Sequence, residues 1–511
     1  MVTRRAPFHN ASMSSPSERA RPPTLADNGS VGERGERVDR PKALDTDAEA
    51  KARPDAPPTS RLGRLARLGA LAPRALPMAA EAMRRAIGGE RDEDEERASR
   101  ERILGSAKKT AEAMLKTLGE MKGLPLKLGQ MASYIEGLAP PGYEEKFQSV
   151  LQKLQQKAPP LSREAASRVI KEEIGAPPED VFVQWEADPF AAASIGQVHR
   201  ATTRAGERVA VKVQYPGIDK AIQNDLKSLS LLESMIAPVG RRYHSKETLD
   251  EIRDVFLAEL DYRHEAEVAS TFRAIHADDD AIVIPNVHHS LTTRRVLTTD
   301  LVGGVDYQTF CERAPQADRD AAGQTIWRFM FRALYEYGLL YADPHPGNYR
   351  FLGGGRVAFL DFGCSKKIPD DLVAGMKRYV VAAQNGDEEE FERACVEVLG
   401  YERNDEESWK LYVAYTKMLL EPFTRNAPFR HSKHHARECI AFLVRGGKKI
   451  VMKPGEALPH LPAPVHMPAD FTFVNRLQWG LSSVMGGLEA EANWREITDP
   501  WLHGPVQELP G

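Results

Sequence analysis

Three polar residues in the stretch 341–363 have the types and spacing that phosphoryl transfer needs. Asp343 and Asn348 are five positions apart, and Asp361 opens a D-F-G triplet after a predicted hairpin. Such a reaction needs a carboxylate beside the incoming nucleophile and oxygen ligands for a metal ion. We therefore predict that Asp343 positions or deprotonates the nucleophile. Asn348 and Asp361 are predicted to hold Mg²⁺, a hard cation that prefers oxygen ligands.

A lysine on a predicted strand supplies the positive charge that a phosphate site also requires. Lys212 lies in the run RVAVKV, where Val211 and Val213 are predicted to point to the opposite, buried face. This context is typical of the kinase lysine that contacts the α- and β-phosphates and a helix glutamate, and the D-x-x-x-x-N and D-F-G pieces fit the same pattern. The alternative is a surface lysine on an edge strand.

The acidic partner of Lys212 is predicted to lie in the helical stretch LAELDYRHEAEVAS. This stretch contains Glu259, Asp261 and Glu265, and we assign Glu265 to Lys212. Any one of the three carboxylates, taken alone, is typical of a solvated helix face.

The loop before the lysine strand is rich in alanine. Phosphate-binding loops favour glycine, because the backbone must come close to phosphate oxygens. This loop instead reads Ala191, Ala192, Ala193 and Ser194. We predict that these four residues contact a nucleotide in a loop that is stiffer than a glycine loop.

The run RRVLTTDLVGG is predicted to be a strand that leads into a hinge between two lobes. By position, Thr299 is the predicted gatekeeper residue. Backbone groups from Asp300 to Val302 are predicted to contact the adenine edge of the nucleotide.

The remaining elements divide into two regions of different character. Strand signals dominate residues 166–302, apart from a helical block at 220–275, and residues 303–511 are mainly helical apart from one hairpin. This order predicts an α+β protein with two lobes, here called the N-lobe and the C-lobe, rather than a doubly wound sheet. The net charge of −4 argues against nucleic-acid binding, and four scattered cysteines argue against a disulfide framework.

The segments before residue 166 have three different compositions. Residues 1–60 are polar and poor in aromatic side chains, which predicts a disordered tail. Residues 61–97 combine a basic amphipathic segment, 61–88, with an acidic linker, and residues 98–165 have helical periodicity. The basic segment predicts peripheral contact with an anionic membrane surface. A helix packed on its own protein, or a loosely ordered linker, is the alternative.

A histidine-rich run in the C-lobe is interpreted as a solvated surface cluster. The run RHSKHH contains His431, His434 and His435, with no acidic or thiol partner close in sequence. A metal site is therefore the less favoured interpretation of this cluster.

Taken together, these motifs resemble the UbiB/AarF/ADCK family of atypical, protein-kinase-like proteins. The run LKLGQ matches the family's KxGQ motif through Lys127, Gly129 and Gln130, and Glu259 and Asp261 match its ExD motif. The alanine loop stands where ordinary kinases have a glycine-rich loop. The similarity spans roughly residues 100–500 of the chain.

The resemblance implies a kinase-like fold with an N-terminal helical KxGQ extension. It implies that Lys127 reaches the nucleotide site near Glu259 and Asp261, and that the protein binds ATP or ADP with Mg²⁺ and hydrolyses ATP. It also implies support of ubiquinone or related isoprenoid-lipid metabolism, with a quinone lipid or a lipid-biosynthesis complex as partner. Tyr341 stands where the family usually has histidine, and we expect it to act as a packing residue.

Two alternatives to an ATPase remain open at this point. The first is a nucleotide-binding pseudokinase that acts as a lipid chaperone or scaffold, although the intact chemical residues argue against it. The second is a true protein kinase, although the family's KxGQ helix folds over the place where a protein substrate would lie. We expect a cytoplasmic protein that is peripheral to the inner face of a membrane.

Overall fold

The computed structural model describes four long ranges and a few separate positions, chiefly between residues 55 and 66. The long ranges are 161–227, 257–401, 406–435 and 471–510. The KxGQ residues Lys127, Gly129 and Gln130 lie outside the described residues, as do nearly all of the predicted segments 61–97 and 98–165. In the ranges described, no helix is both long and apolar enough to cross a membrane.

The N-lobe is built on an antiparallel sheet in the order β1-β3-β4-β6, with β2 paired to β3. Its strands are β1 Gln184–Trp185, β2 Ala191–Ala192, β3 Gly196–Thr202, β4 Arg208–Gln214 and β6 Val296–Asp300. Three helical pieces accompany the sheet: α1 Arg163–Ile174, the single turn α2 Pro178–Val181 and α3 Tyr262–Ile275. Residues 218–227, directly after β4, are also helical.

Alternation along β4 separates the N-lobe core from the site. Val209, Val211 and Val213 are fully buried in an aliphatic cluster with the inner face of α1. Because successive strand residues point to opposite faces, Lys212 lies on the other face of the sheet. Helix α1 begins at Ser162, whose hydroxyl accepts a hydrogen bond from Ala165 N at 3.1 Å.

The C-lobe is mainly helical, as predicted. Its helices are α4 Tyr307–Arg313, α5 Gln316–Tyr337, α6 Asp370–Asn385, α7 Glu388–Leu399, α8 Glu406–Thr424, α9 Phe471–Leu488 and α10 Trp494–Leu502. Its strand pairs are β7 Leu339–Tyr341 with β10 Ser365–Lys367, β8 Tyr349–Gly353 with β9 Arg356–Phe359, and β11 Phe429–Arg430 with β12 Glu491–Ala492. The long helix α5 lies at the centre and packs against β7, β9 and α10.

Strand predictions differ from the structure at three places. In the run VFVQW, Val181 ends helix α2, and only Gln184–Trp185 is a strand. In the run AIVIPNV, the strand β5 (Ile282–Val283) pairs in parallel with β9, so it joins the sheet of the C-lobe hairpin. Two further strand pairs, β7–β10 and β11–β12, interrupt the C-lobe helices. The last two differences arise from short strands whose pairing partner is distant in sequence, which periodicity alone does not reveal. Val181 instead belongs to a helical turn that begins at Pro178, a residue suited to that position.

Two other predictions are corrected by side-chain contacts. The prediction of disorder through residue 60 is wrong for Asp55 and Thr59, since Asp55 accepts a hydrogen bond from Ser162 at 2.5 Å and the Thr59 carbonyl accepts one from Asn224. His431 is not a solvated surface residue: it is buried against the rings of Trp327 and Trp494.

Candidate functional site

Lys212 lies between two carboxylates at the centre of the candidate site. Its Nζ is 2.9 Å from Glu265 Oε1, 3.0 Å from Glu265 Oε2 and 3.1 Å from Asp361 Oδ2. The side chains of Lys212 and Glu265 are 15% and 4% exposed, whereas that of Asp361 is 28% exposed. The pairing of Lys212 with Glu265 was predicted from sequence, and the structure brings Asp361 into the same ion-pair network.

Three different elements position this network. Strand β4 directs Lys212 away from the valine face of the sheet. Helix α3 begins after Asp261, which accepts a hydrogen bond from Arg263 N at 3.0 Å, so that Glu265 lies one turn into the helix. Asp361 follows strand β9, and its Oδ1 accepts a hydrogen bond from Gly363 N at 3.1 Å. The D-F-G turn meets helix α3 where Phe362 N donates to Glu265 Oε1 at 3.5 Å.

Burial and mutual attraction shape the charge of this network. Burial alone would lower the pKa of Lys212, but the carboxylates of Asp361 and Glu265 raise it well above its usual value. Burial raises the pKa of Glu265; Lys212 opposes this shift and Asp361 adds to it. The lysine therefore stays an ammonium ion, and its charge is what allows two carboxylates to lie side by side with little water.

The loop from residue 343 to 348 carries Asp343, the predicted nucleophile-positioning carboxylate, and is hydrogen-bonded to the residue before the D-F-G turn. Asn348 closes a short 3₁₀ turn, Pro346–Asn348, and its Nδ2 donates to the Asp343 carbonyl at 3.0 Å. The Asn348 carbonyl accepts a hydrogen bond from Leu360 N at 3.0 Å, directly before Asp361. Asp343, Asn348 and Asp361 are thus held in one connected region, and all three are half-buried.

An aromatic cluster packs around Phe362 of the D-F-G turn and Tyr341, two residues before Asp343. The ring of Phe362 packs against Phe272 at a centroid distance of 5.4 Å and against Tyr341 at 5.9 Å. Tyr341 also meets Phe272 at 5.9 Å and Phe329 at 5.2 Å, in edge-on geometry. Tyr341 is 1% exposed, and burial raises the pKa of its hydroxyl well above the usual value. These contacts favour the prediction that Tyr341 is a packing residue.

The alanine loop is a tight hairpin turn beside Lys212. Ala191 and Ala192 form strand β2, and Ala193 N donates to Gly196 O at 2.8 Å across the turn. Gly196 itself has no room for a side chain, since a Cβ there would lie 2.5 Å from Val213 O. The four predicted residues of this loop, including Ser194, are half-buried. The glycine that this turn requires is therefore Gly196, two residues beyond Ser194 at the end of the alanine loop.

The predicted hinge follows strand β6. Thr299 pairs with Ala210 of β4, which places it in the sheet that carries Lys212. Asp300 N donates to Asn286 O at 3.0 Å, and the Asp300 side chain accepts a hydrogen bond from His288 Nε2 at 2.9 Å. In the part of the chain that the structure describes, the Val302 N–H donates to no other group. Val302 can therefore donate to a ligand without breaking an existing bond.

The two ExD carboxylates have different surroundings. Glu259 is 6% exposed and lies beside the D-F-G turn. A Cβ built on Gly363 would be 3.5 Å from Glu259 Cγ. Asp261 turns outward to cap helix α3 and to pair with the Arg263 guanidinium at 2.6 Å. The structure thus brings Glu259, but not Asp261, to the Lys212 network.

The residues present suit a magnesium ion that keeps water and phosphate oxygens as further ligands. Mg²⁺ is commonly held by one or two protein carboxylates together with substrate phosphates. Here Asp361 offers one carboxylate, and Asn348 offers an amide oxygen because its amide nitrogen is fixed by Asp343. In the described ranges there is no group of three or more His, Cys, Asp or Glu side chains that could hold a metal without such a substrate.

Sequence reasoning missed two residues that shape the site. The Tyr262 ring lies 5.0 Å below Lys212 Nζ, as a cation–π contact, and its only sequence signal is its place directly after Asp261. Gly480 of helix α9 touches the loop 343–348, the predicted catalytic loop, since a Cβ there would lie 2.5 Å from Pro344 Cγ. No local pattern links residues so far apart in the chain.

Comparisons with known proteins agree with this geometry. Residues 153–395 match the family model of the ABC1 atypical kinase-like domain. The atypical kinase COQ8B, mitochondrial, of Rattus norvegicus is 32% identical over 350 residues, which are 68% of this chain and 64% of the rat protein. The atypical kinase coq-8, mitochondrial, of Caenorhabditis elegans is 31% identical over 402 residues, or 76% of this chain and 51% of that protein. The chain thus spans between half and two thirds of the length of these relatives.

A solved structure has a similar fold. It is the complex of Rv3197 with erythromycin from Mycobacterium tuberculosis, which aligns with a TM-score of 0.55 at 24% identity. The alignment covers 78% of this chain and 97% of the mycobacterial chain. At this identity the likeness supports the kinase-like α+β fold and nothing about ligands.

Proposed function

Because the chain belongs to the ABC1 atypical kinase-like family, we propose that it binds an adenine nucleotide with Mg²⁺ and turns over ATP. One observation carries this proposal. Lys212 is held by Glu265 and Asp361 on the face of the sheet that lies opposite the aliphatic core. A network of this kind has the charges that phosphate groups and a metal ion require, and it lies beside a loop with a second carboxylate.

Each residue of the network has a distinct role in the proposal. The Lys212 ammonium binds phosphate oxygens, and Glu265 orients it. Asp361 and Asn348 hold Mg²⁺, which supplies positive charge against the phosphates when it is bound. Asp343 orients the attacking hydroxyl, which belongs to water or to a small lipid-related alcohol.

We propose that the nucleotide lies between the alanine loop and the hinge. Ala191, Ala192, Ala193 and Ser194 cover the phosphates from the N-lobe. The backbone of Asp300 and Val302 contacts the adenine edge, where the Val302 N–H is available as a donor. Lys127, Gly129 and Gln130 remain proposed parts of the site through the family resemblance.

Phosphate release from Mg²⁺-ATP tests the proposal directly. We expect the full chain to release phosphate and the Asp361→Asn variant to release at least about a hundredfold less, because a metal-binding carboxylate is lost. Glu389→Gln is the matched control, since the side chain of Glu389 is 88% exposed on helix α7. Equal release by the wild type and Asp361→Asn would contradict the proposal.

The two alternatives predict different outcomes of the same assay. A pseudokinase would bind nucleotide but release equally little phosphate in the wild type and in Asp361→Asn. A true protein kinase would transfer phosphate efficiently to added protein substrates. The intact set of Lys212, Asp343, Asn348 and Asp361 favours an active enzyme over the first alternative.

We also propose that this activity supports ubiquinone or related isoprenoid-lipid metabolism. This part rests on the family resemblance, and its test is the quinone profile of a strain that lacks the gene. An unchanged profile would contradict it.

We further propose that the protein is cytoplasmic and contacts a membrane peripherally through residues 61–88. Liposome flotation tests this membrane contact. Arg64, a basic residue of that segment, is buried against the N-lobe and is not available to lipid.

A further inference from the structure

A short segment near the N-terminus is bound to the helix that follows β4. Arg64 Nε lies 2.6 Å from Asp225 Oδ1, and its second guanidinium nitrogen lies 2.5 Å from Oδ2. The two side chains are 2% and 7% exposed. This is a bidentate, buried ion pair between residues 161 positions apart in the chain.

Further contacts fix the same segment on either side of the ion pair. Asn224 Nδ2 donates to the Thr59 carbonyl at 2.8 Å. Asp55 Oδ1 accepts a hydrogen bond from the Ser162 hydroxyl at 2.5 Å. Leu161 N in turn donates to Gln197 Oε1 at 3.1 Å on strand β3. Residues 55–64 are therefore attached to the N-lobe at both the start of helix α1 and the helix 218–227.

The burial of the Arg64–Asp225 pair makes it a specific attachment. An exposed pair would contribute little, since solvent and salt screen it. Burial raises the pKa of Asp225, and the Arg64 guanidinium opposes that shift. Loss of Arg64 alone would leave a carboxylate buried without its counter-ion, which is strongly unfavourable.

The helix that carries Asp225 is joined to the alanine loop through the end of β4. Asp225 is in the helix 218–227, which follows directly on the strand that carries Lys212. Between them, Tyr215 N donates to Ile195 O at 2.9 Å, which ties the end of β4 to the turn of the alanine loop. Tyr215 is 2% exposed and packs in the same core cluster as Ile218 and Tyr262. A shift of this helix is thus transmitted by tightly packed atoms to the loop.

We propose that Arg64, acting through Asp225, is a positioning residue that clasps residues 55–64 to the N-lobe and sets the nucleotide affinity of the alanine loop. The clasp consists of Asp55, Thr59 and Arg64 on one side and Ser162, Asn224 and Asp225 on the other. Only the statement about affinity rests on the proposed function. The attachment of residues 55–64 is independent of it.

Limited proteolysis with thermolysin and binding of fluorescent ADP with Mg²⁺ test the clasp in the full chain. We expect Arg64→Met to raise the cleavage rate between residues 55 and 66 by about tenfold or more, because local opening of this segment becomes easier. We expect it to weaken ADP binding by about threefold or more, since the alanine loop loses its support. The double variant Arg64→Met with Asp225→Leu replaces the ion pair by apolar side chains and is expected to recover both values in large part.

Two references separate a positioning role from general destabilisation. Arg393→Met removes an exposed arginine of helix α7 and is expected to change neither value. Cleavage within the C-lobe range 303–435 is the internal reference for unfolding of the whole chain. Unchanged cleavage at 55–66 in Arg64→Met, an equal rise in the C-lobe, or unchanged ADP affinity beside faster cleavage would each overturn the proposal. If the wild type binds no ADP, the proposed function fails, and the two cleavage rates decide the clasp by themselves.

Discussion

The N-lobe and the C-lobe hold their halves of the site by different means. In the N-lobe, an aliphatic cluster on one face of the sheet fixes strand β4, and Lys212 emerges on the other face. In the C-lobe, the loop 343–348 and the D-F-G turn lie beside the packed rings of Phe329, Tyr341 and Phe362, which also meet Phe272 of helix α3. Regular alternation positions the lysine, whereas irregular aromatic packing positions the acidic residues.

This difference has a physical consequence for tolerance to change. A strand residue is held by many backbone hydrogen bonds, so the direction of Lys212 survives the loss of one neighbouring methyl group. A loop has few such bonds, and its position depends on the shape of the side chains beneath it. We therefore expect small changes of volume to disturb the C-lobe half of the site more than the N-lobe half.

The largest expected effect is the loss of a ring from the C-lobe stack. Tyr341→Ala should lower the free energy of unfolding by about 3–5 kcal/mol, because it leaves a cavity among three aromatic rings. Tyr341→Phe keeps the ring and should change the free energy of unfolding by about 1 kcal/mol or less. Urea denaturation measures both variants. Similar losses for the two would mean that the hydroxyl, and not ring packing, holds Tyr341 in place.

An intermediate effect is expected where a helix touches the catalytic loop. Gly480→Ala places a Cβ 2.5 Å from Pro344 Cγ, next to Asp343. We expect the rate of ATP turnover to fall by about tenfold while nucleotide affinity stays nearly unchanged, since the nucleophile-positioning carboxylate is displaced.

The control for this prediction is a second glycine of helix α9. A Cβ in Gly486→Ala would also be crowded, in this case by backbone atoms of Ser432 and Lys433 at 2.9 Å. Adding Pro344→Ala to Gly480→Ala removes the clashing ring atoms and should restore part of the rate. Equal losses in Gly480→Ala and Gly486→Ala would show that the effect is only a disturbance of the helix.

The smallest expected effect concerns acid stability and one buried histidine in each lobe. Burial lowers the pKa of His199 to about 4 and the pKa of His431 to about 3, so both are neutral in the fold. Their contribution to stability is fully present above the ordinary histidine pKa of about 6.5 and is lost as the pH falls toward the folded values. We expect His431→Phe to reduce the slope of unfolding free energy against pH by up to about 1.4 kcal/mol per pH unit between pH 6 and 4.

The two histidines should differ at neutral pH. His431 is packed among aromatic rings, so His431→Phe should keep the stability of the wild type at pH 7. His199 bonds the Glu186 carbonyl at 2.9 Å and the Gln197 amide at 3.1 Å, so His199→Phe should cost about 1–3 kcal/mol there. Equal losses of unfolding free energy for the two variants at pH 7 would contradict the expectation that hydrogen bonds hold His199 and ring packing holds His431.

Much of the site could be read from residue types and spacing. Lys212, Glu265 and Asp361 were each found from a local pattern, because alternation, helical context and the D-F-G triplet are short-range signals. Asp261, which matches the ExD motif of the family resemblance, caps helix α3 in the structure, and its predicted part in the site stays a prediction. Cap and ligand residues have the same side chains, and only the position of the helix end distinguishes them.

Other features had no signal in the sequence. The contact of Gly480 with Pro344 and the burial of Arg64 on Asp225 join residues more than 130 positions apart. The basic spacing of residues 61–88 indicated a surface for lipid, yet one of its arginines faces a buried carboxylate. Composition records which charges are present, but not which partner each of them meets.

The sequence by itself determined the chemistry: the lysine, the acidic residues and the amide that a phosphate site needs, and the alternation that points the lysine away from the core. The tertiary structure alone decided which carboxylates share that lysine, which rings support the catalytic loop, and where the N-terminal segment attaches. The reason is that local preferences act over a few residues, whereas burial depends on surfaces that meet only when distant parts of the chain pack together.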